Sequence, residues 1–111
     1  MKSKKTENLL NSIQWVNESL EYRLLCHQIY NNALHQLNIL IKKDDFYHKK
    51  NAIVMDLDET IIDNSEFQVM LEQNNFKFSE KNWYEWVCKE KAKLIPGSKN
   101  FLRYTKKENI Q

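Results

Sequence analysis

Glycine is almost missing. The chain has one in 111 residues, where ordinary usage of about 7% gives roughly eight. The strand-to-helix turns of α/β folds draw on glycine, so either helices dominate or the glycine-bearing part of such a fold is not among these residues. Cysteine is scarce too: Cys26 and Cys88 have neither metal-ligand spacing nor the pattern of a disulfide framework, and read as unlinked thiols. No apolar run exceeds four residues, far short of the ~20 needed to span a membrane. The basic opening from Met1 to Asn8 lacks the apolar region of about 7 to 15 residues that makes a signal peptide, so as written the chain is expected to stay in the cytoplasm. Charge of one sign is also lacking. Seventeen Lys plus Arg face 15 Asp plus Glu, a net charge of +2, too little to imply a nucleic-acid or membrane surface.

What is present suits a small globular chain of at most one domain: 41% hydrophobic, 29% charged and 12% aromatic residues, which is not a disordered composition. No internal repeat is visible, and Asn17-Glu-Ser19 matches a glycosylation acceptor only by chance. From Asn8 to Ile41 the apolar residues Ile13, Val16, Leu20, Leu24, Leu34, Leu37 and Ile41, with Tyr30 in the gap, step by threes and fours. That spacing predicts an amphipathic lead helix or two helices. The charged stretch Lys42 to Lys50 breaks the pattern and divides the chain into a helical lead-in, residues 1–50, and a second part, residues 51–111. Ala52-Ile-Val-Met55 then reads as a short buried parallel strand. Ser65-x-x-Gln68 predicts a capping box opening a helix near Ser65. Asn82 to Ala92 predicts another, with Trp83, Trp86, Val87 and Glu90 on one side. Ile95-Pro-Gly-Ser98 predicts a turn into a final amphipathic segment carrying Phe101, Leu102 and Thr105.

The chemistry is concentrated in Val54-Met-Asp56-Leu-Asp58-Glu-Thr60-Ile-Ile-Asp63-Asn64, a β-type run ending in alternating carboxylates. Ligands of open α/β sheets bind at the carboxyl ends of strands. In extended backbone Asp56 and Asp58 project to one side about 6.6 Å apart. Their mutual repulsion favours a divalent cation, and an oxygen-only site suits Mg²⁺ better than Zn²⁺. A carboxylate beside such an ion can attack phosphorus while a second acid handles the proton. A solvated acidic turn capping a helix is the plainer alternative. A calcium loop fails, because Ile61 stands where the turn needs Gly and Phe67 where a bidentate Glu is needed. Glu59, Asp63 and Asn64 read as turn and capping residues; Tyr84, Trp86 and Phe101 read as packing. His27, His35 and His48 have no paired partner in the pattern and read as surface or core residues.

Asp56-Leu-Asp-Glu-Thr60 after a hydrophobic run resembles the first motif of the haloacid dehalogenase (HAD) superfamily of Mg²⁺-dependent phosphotransferases. Its extension is narrower: Asp58-Glu-Thr-Ile-Ile-Asp-Asn-Ser65, Asn82-Trp-Tyr-Glu-Trp-Val87, Ala92-Lys-Leu-Ile-Pro-Gly97 and Phe101-Leu-x-Tyr104 are similar to the class C acid phosphatases. The lead-in Gln14-Trp-x-x-x-Ser19-x-Glu-Tyr-Arg23 and Gln28-x-Tyr-Asn31 is similar as well. That family comprises bacterial surface lipoproteins, exported to the periplasm or outer membrane, with acid phosphatase and 5′-nucleotidase activity.

The resemblance implies an α/β fold in which N-terminal helices precede the first strand and cap-region helices of a Rossmann-like HAD core. It implies Asp56 as nucleophile and metal ligand, Asp58 as general acid and base and metal ligand through its carbonyl, Thr60 as loop support, and Mg²⁺ as cofactor. Trp83 would be the cap residue that stacks on a nucleotide substrate; on its own pattern it reads equally well as a core residue. The family's second-strand Ser or Thr, its Lys and its late acidic pair have no counterpart here. The expectation is therefore an incomplete, inactive phosphatase whose segment 52–55 has no strand neighbour in the chain. A small helical interaction module carrying a relic motif is the other reading.

Overall fold

The computed structural model describes residues 9–111; the basic opening, and with it the export expectation and the helix start at Asn8, lie outside the described residues. The lead-in is two helices, α1 (Asn11–Glu18) and α2 (Leu20–Ile41). Ser19 splits them. Its backbone is extended and its hydroxyl accepts the Tyr22 N–H at 3.0 Å, satisfying one of the donors that a helix start leaves without a partner. A 3-10 turn at Phe46–His48 leads into an extended segment. There follow β1 (Ile62–Asp63), α3 (Ser65–Gln73), α4 (Glu80–Cys88), β2 (Lys93–Leu94) and α5 (Ser98–Lys107).

The buried seam of α2 carries Cys26, Tyr30 and Leu37, packed with Ile95, Phe101 and Ile110, and with the half-buried Ile53 and Met55 beside them. The spacing had placed Leu20 and Leu24 on the inner face; both are exposed. The seam runs instead through Tyr22 and Cys26. Both rows of the helix are apolar here, so composition could not choose between them, and the partners on α5 and the extended segment did.

The helix ends account for part of the glycine deficit. Asn75, Glu90 and Asn109, one after each of the last three helices, hold the left-handed φ of 51° to 54° that glycine usually takes. After α3 the Phe76 N–H reaches the Leu71 carbonyl at 2.8 Å and that of Asn75 reaches Glu72 at 3.1 Å; after α5 the Ile110 and Asn109 N–H groups reach Thr105 and Lys106 at 3.0 and 3.2 Å. These are Schellman closures with asparagine in glycine's place.

The second closure turns the chain end back beside residues 51–53. The Ile53 N–H donates to the Gln111 main-chain oxygen at 2.7 Å, and the Gln111 N–H to the Asn51 carbonyl at 3.1 Å. One residue bonded to both neighbours of its opposite is the parallel pattern. The expected strand therefore does have a neighbour, among the described residues Gln111 alone, and the two-bond contact does not make a ladder. Residues 52, 54 and 56 face the other edge. Among the described residues no backbone hydrogen bond reaches Ala52, Val54, Met55 or Asp56, and Val54 is 97% exposed.

β1 and β2 pair antiparallel, Ile62 with Leu94 and Asp63 with Lys93, and so bracket the whole helical insertion between them. The insertion has a core of its own, in which Phe67, Leu71 and Trp86 pack with Met70, Trp83 and Ala92. Phe67 is fully buried, edge-on to Trp83 at 5.2 Å. Two local expectations change. α4 starts at its cap Ser79, whose hydroxyl accepts the Asn82 N–H at 3.1 Å, and ends at Cys88, leaving Glu90 beyond it and Val87 exposed. The box at Ser65 does not form: its hydroxyl donates to Asn17 on α1, and its N–H is taken by Asp63 Oδ1 at 2.8 Å.

The lone glycine is placed by two constraints. Gly97 has φ 93°, and a Cβ there would lie 2.8 Å from the Cβ of Tyr30. Gly97→Ala is expected to lower stability by about 2 kcal/mol or more, from backbone strain and overpacking together; urea unfolding followed by circular dichroism checks it.

Candidate active site

The extended segment ends in a forced turn. The Leu57 carbonyl accepts three N–H groups, from Thr60 at 3.3 Å, Ile61 at 2.9 Å and Ile62 at 3.0 Å. Glu59 takes φ 57°, sparsely populated for a residue with a Cβ, and its N–H donates to the Ile62 carbonyl at 2.8 Å. The chain thus runs straight to Asp56, curls through residues 57–61, and returns as β1 with Ile62 bridged to Asp58. Tyr30 on α2 holds the curl, its hydroxyl donating to the Thr60 carbonyl at 2.5 Å.

Both aspartates lie at this curl with exposed side chains. Thr60 Oγ1 donates to Asp56 Oδ2 at 3.4 Å, a loop-supporting contact of the kind the resemblance implies. Asp58 Oδ1 accepts from Asn64 Nδ2 at 2.8 Å. Asn64 is 3% exposed, and its N–H donates to Glu59 Oε1 at 3.1 Å. Its own Oδ1 accepts the Trp86 indole N–H at 2.9 Å. Asn64 sits at the N-cap position of α3 without capping it, because its side chain is used by the site. Trp86, read from the sequence as packing, also makes a specific polar contact. Nothing in a 22-residue separation announces that pair.

Trp83 lies one helical turn from Trp86 on α4, half-buried against Phe67. It is therefore joined to the aspartates through the insertion core and Asn64, without touching them directly. Beside the curl, Tyr22, Arg23, Asp63, Ser65, Glu66 and Lys93 line a cleft of about 220 Å³, in which Lys93 pairs with Glu66 at 2.6 Å. The pair is exposed, so it adds little stability.

Among the described residues no three His, Cys, Asp or Glu side chains converge as a metal cluster. One carboxylate, that of Asp56, with the Asp58 carbonyl beside it is still an adequate protein contribution for Mg²⁺, which is commonly held by one or two carboxylates, with water and substrate phosphate completing its shell. The oxygen-only donors of Asp56 and Asp58 fit that ion.

Burial, followed by the nearby Cys26 and the negative charges of Asp63 and Glu59, pushes the Tyr22 hydroxyl up to about 12 from its ordinary 10.0. The folded state keeps a proton that the unfolded chain releases, so stability is full below about pH 10 and falls as pH rises toward 12. Tyr22→Phe should lessen that alkaline fall, leaving the part that the similarly raised Tyr30 contributes, as read by urea midpoints across pH 9 to about 12.

The chain matches the family model described as HAD superfamily, subfamily IIIB (acid phosphatase), over residues 1–111. It is also similar to solved structures of the class C acid phosphatase from Bacillus anthracis. The form with tungstate bound has 33% identity over 90% of this chain and a TM-score of 0.80; a second structure of that enzyme has 33% identity over 90% and a TM-score of 0.78. This chain belongs to the acid phosphatases of HAD subfamily IIIB. It covers 41% of the length of the Bacillus anthracis chains.

Proposed function

We propose that this chain carries the nucleophile-bearing part of a Mg²⁺-dependent acid phosphatase acting on phosphomonoesters such as nucleoside 5′-monophosphates. The observation that carries the reading is the placement of Asp56 and Asp58 at an exposed curl after an extended segment, in a chain of this family. The tungstate in the Bacillus anthracis enzyme, a tetrahedral oxyanion like phosphate, adds support.

In this reading Asp56 attacks the phosphorus of the ester and forms an aspartyl-phosphate. The bond to the leaving oxygen breaks, and Asp58 gives that oxygen its proton. Asp58 then takes a proton from water as the water oxygen displaces Asp56, releasing inorganic phosphate. Mg²⁺, held by the Asp56 carboxylate and the Asp58 carbonyl, would offset charge on the phosphoryl oxygens. Thr60 keeps Asp56 in place, and Trp83 supplies a stacking face for the base. The domain division at residue 50 is part of the same reading, as a helical lead-in before the catalytic core. Export as a lipoprotein belongs to it too, carried by the family resemblance; no described helix is long and apolar enough to cross a membrane.

We also infer that these residues alone do not turn over. Phosphoryl transfer depends on positioning and charge stabilisation, and the family's Lys and late acids are not among them. The free edge at Val54 adds support. So does the adjoining apolar groove of about 310 Å³, lined by Ile29, Tyr30, Ala33, Ile53 and Met55, where further strands of the sheet would pack. Exposed Leu25 and Ile29 on α2 favour the interaction-module reading as well, but that reading assigns Asp56 no role.

The test is Mg²⁺-dependent phosphate release from a nucleoside monophosphate and an aryl phosphate at mildly acidic pH. The 111-residue chain should match its Asp56→Asn variant at background. Fused to the portion of the Bacillus anthracis enzyme that has no counterpart here, it should release phosphate, with Asp56→Asn reducing the rate by about 10⁴-fold or more. Turnover by the chain alone would overturn the inference of incompleteness. A fusion whose activity ignores Asp56 would overturn the phosphatase assignment.

A further inference from the structure

We propose that Asn64 is a positioning residue for Asp58, and that Trp86 fixes its orientation from within the helical insertion. The proposal rests on the reading of Asp58 as the proton-transferring acid of the site, and deepens it.

A primary amide has two nearly isosteric orientations, and only its hydrogen-bond partners choose between them. At Asn64 the choice is forced. An indole N–H can donate but not accept, so the Trp86 contact at 2.9 Å selects the amide oxygen. The NH₂ group then points at Asp58 Oδ1, 2.8 Å away. The flipped amide would set N–H against N–H on one side and oxygen against carboxylate on the other, in a residue only 3% exposed, where water cannot relieve the mismatch. The main chain of Asn64 is held separately, by Glu59 Oε1 at 3.1 Å, so the amide has little freedom to retreat.

The consequence for Asp58 is a carboxylate gripped by one oxygen. Oδ1 is tied to Asn64, while no hydrogen bond among the described residues reaches Oδ2, which leaves that oxygen to carry the transferred proton. The anchor comes from α4, whose core of Phe67, Leu71 and Trp86 is separate from the main one. The insertion therefore has a direct polar connection to the acid, and a displacement of α4 would be felt at Asp58.

Two nearly isosteric variants test this by carbon-13 NMR of the full chain at one fixed pH. Trp86→Phe keeps an aromatic ring on Phe67 and removes only the N–H donor. It should move the Asp58 carboxyl resonance by more than a linewidth, although Trp86 makes no hydrogen bond to Asp58, and leave that of Asp56 in place. Asn64→Leu is nearly isosteric and removes the amide, and with it both the donor to Asp58 and the acceptor for Trp86. It should move the Asp58 resonance and quicken exchange of the Trp86 indole proton. With no amide left to orient, adding Trp86→Phe to Asn64→Leu should produce no further movement at Asp58. Retained Trp83 and Phe67 signals certify the fold of each variant. A folded Trp86→Phe chain with Asp58 unmoved would overturn the proposal, as would an equal effect of Trp86→Phe in the Asn64→Leu background. None of these readings uses turnover, so the phosphatase assignment can fail or survive independently.

Discussion

Tyr30 is the contact on which the rest of the structure depends. Its ring, buried in the seam of α2, stands 5.6 Å from Phe101 on α5, its Cβ occupies the space that any side chain at position 97 would need, and its hydroxyl holds the carbonyl of Thr60. One residue thus joins the lead-in helix, the last helix and the curl that presents Asp56 and Asp58. The hydroxyl is raised above its ordinary range, first by burial and then by Cys26, so it remains a neutral donor under ordinary conditions. The apolar body and the polar tip do separate work: the ring sets the distance between helices, and the tip anchors a turn whose Glu59 is held at positive φ.

A second organising feature is the division between two cores. The main one fastens α2 to α5 and to residues 53 and 55; the other fastens α3 to α4. They communicate through the narrow β1–β2 pair, through Asn64, and through α1, which packs on α3 and accepts the Ser65 hydroxyl at Asn17. A two-residue strand pair makes a weak hinge, because few backbone bonds cross it, so the buried Asn64 bonds to Asp58 and Trp86 help to set the insertion against the curl that bears Asp56 and Asp58. Burial strengthens such bonds and makes their loss costly.

The helices were the legible part. The turn at Ile95-Pro-Gly-Ser98 could be read from spacing, and α5 follows it; the caps could not, since the box expected at Ser65 does not form and the serines that cap helices are Ser19 and Ser79. The motif around Asp56 was legible as well, because a β-type run ending in alternating carboxylates is a local pattern, and its likeness to the acid phosphatases agrees with the family the chain belongs to. The register of α2 was not legible. Leu20, Leu24, Tyr22 and Cys26 are all apolar enough to face inward, and only the positions of Phe101 and Ile53 decide which do. The pairing of Gln111 with residues 51 and 53 was hidden for a related reason: a strand neighbour some 60 residues away leaves no periodic trace.

The sequence by itself determined the order of helices, the acidic motif and its family, since each is written in residues a few positions apart, where capping, periodicity and charge spacing act. Only the tertiary structure decided what Asn64 and Trp86 do. The sequence assigns them to a cap and a core, which are the ordinary uses of those side chains. It is the folding of α3 and α4 onto the curl that brings an indole donor and a carboxylate to opposite ends of one amide, and a hydrogen bond exists only where the fold brings donor and acceptor within about 3 Å.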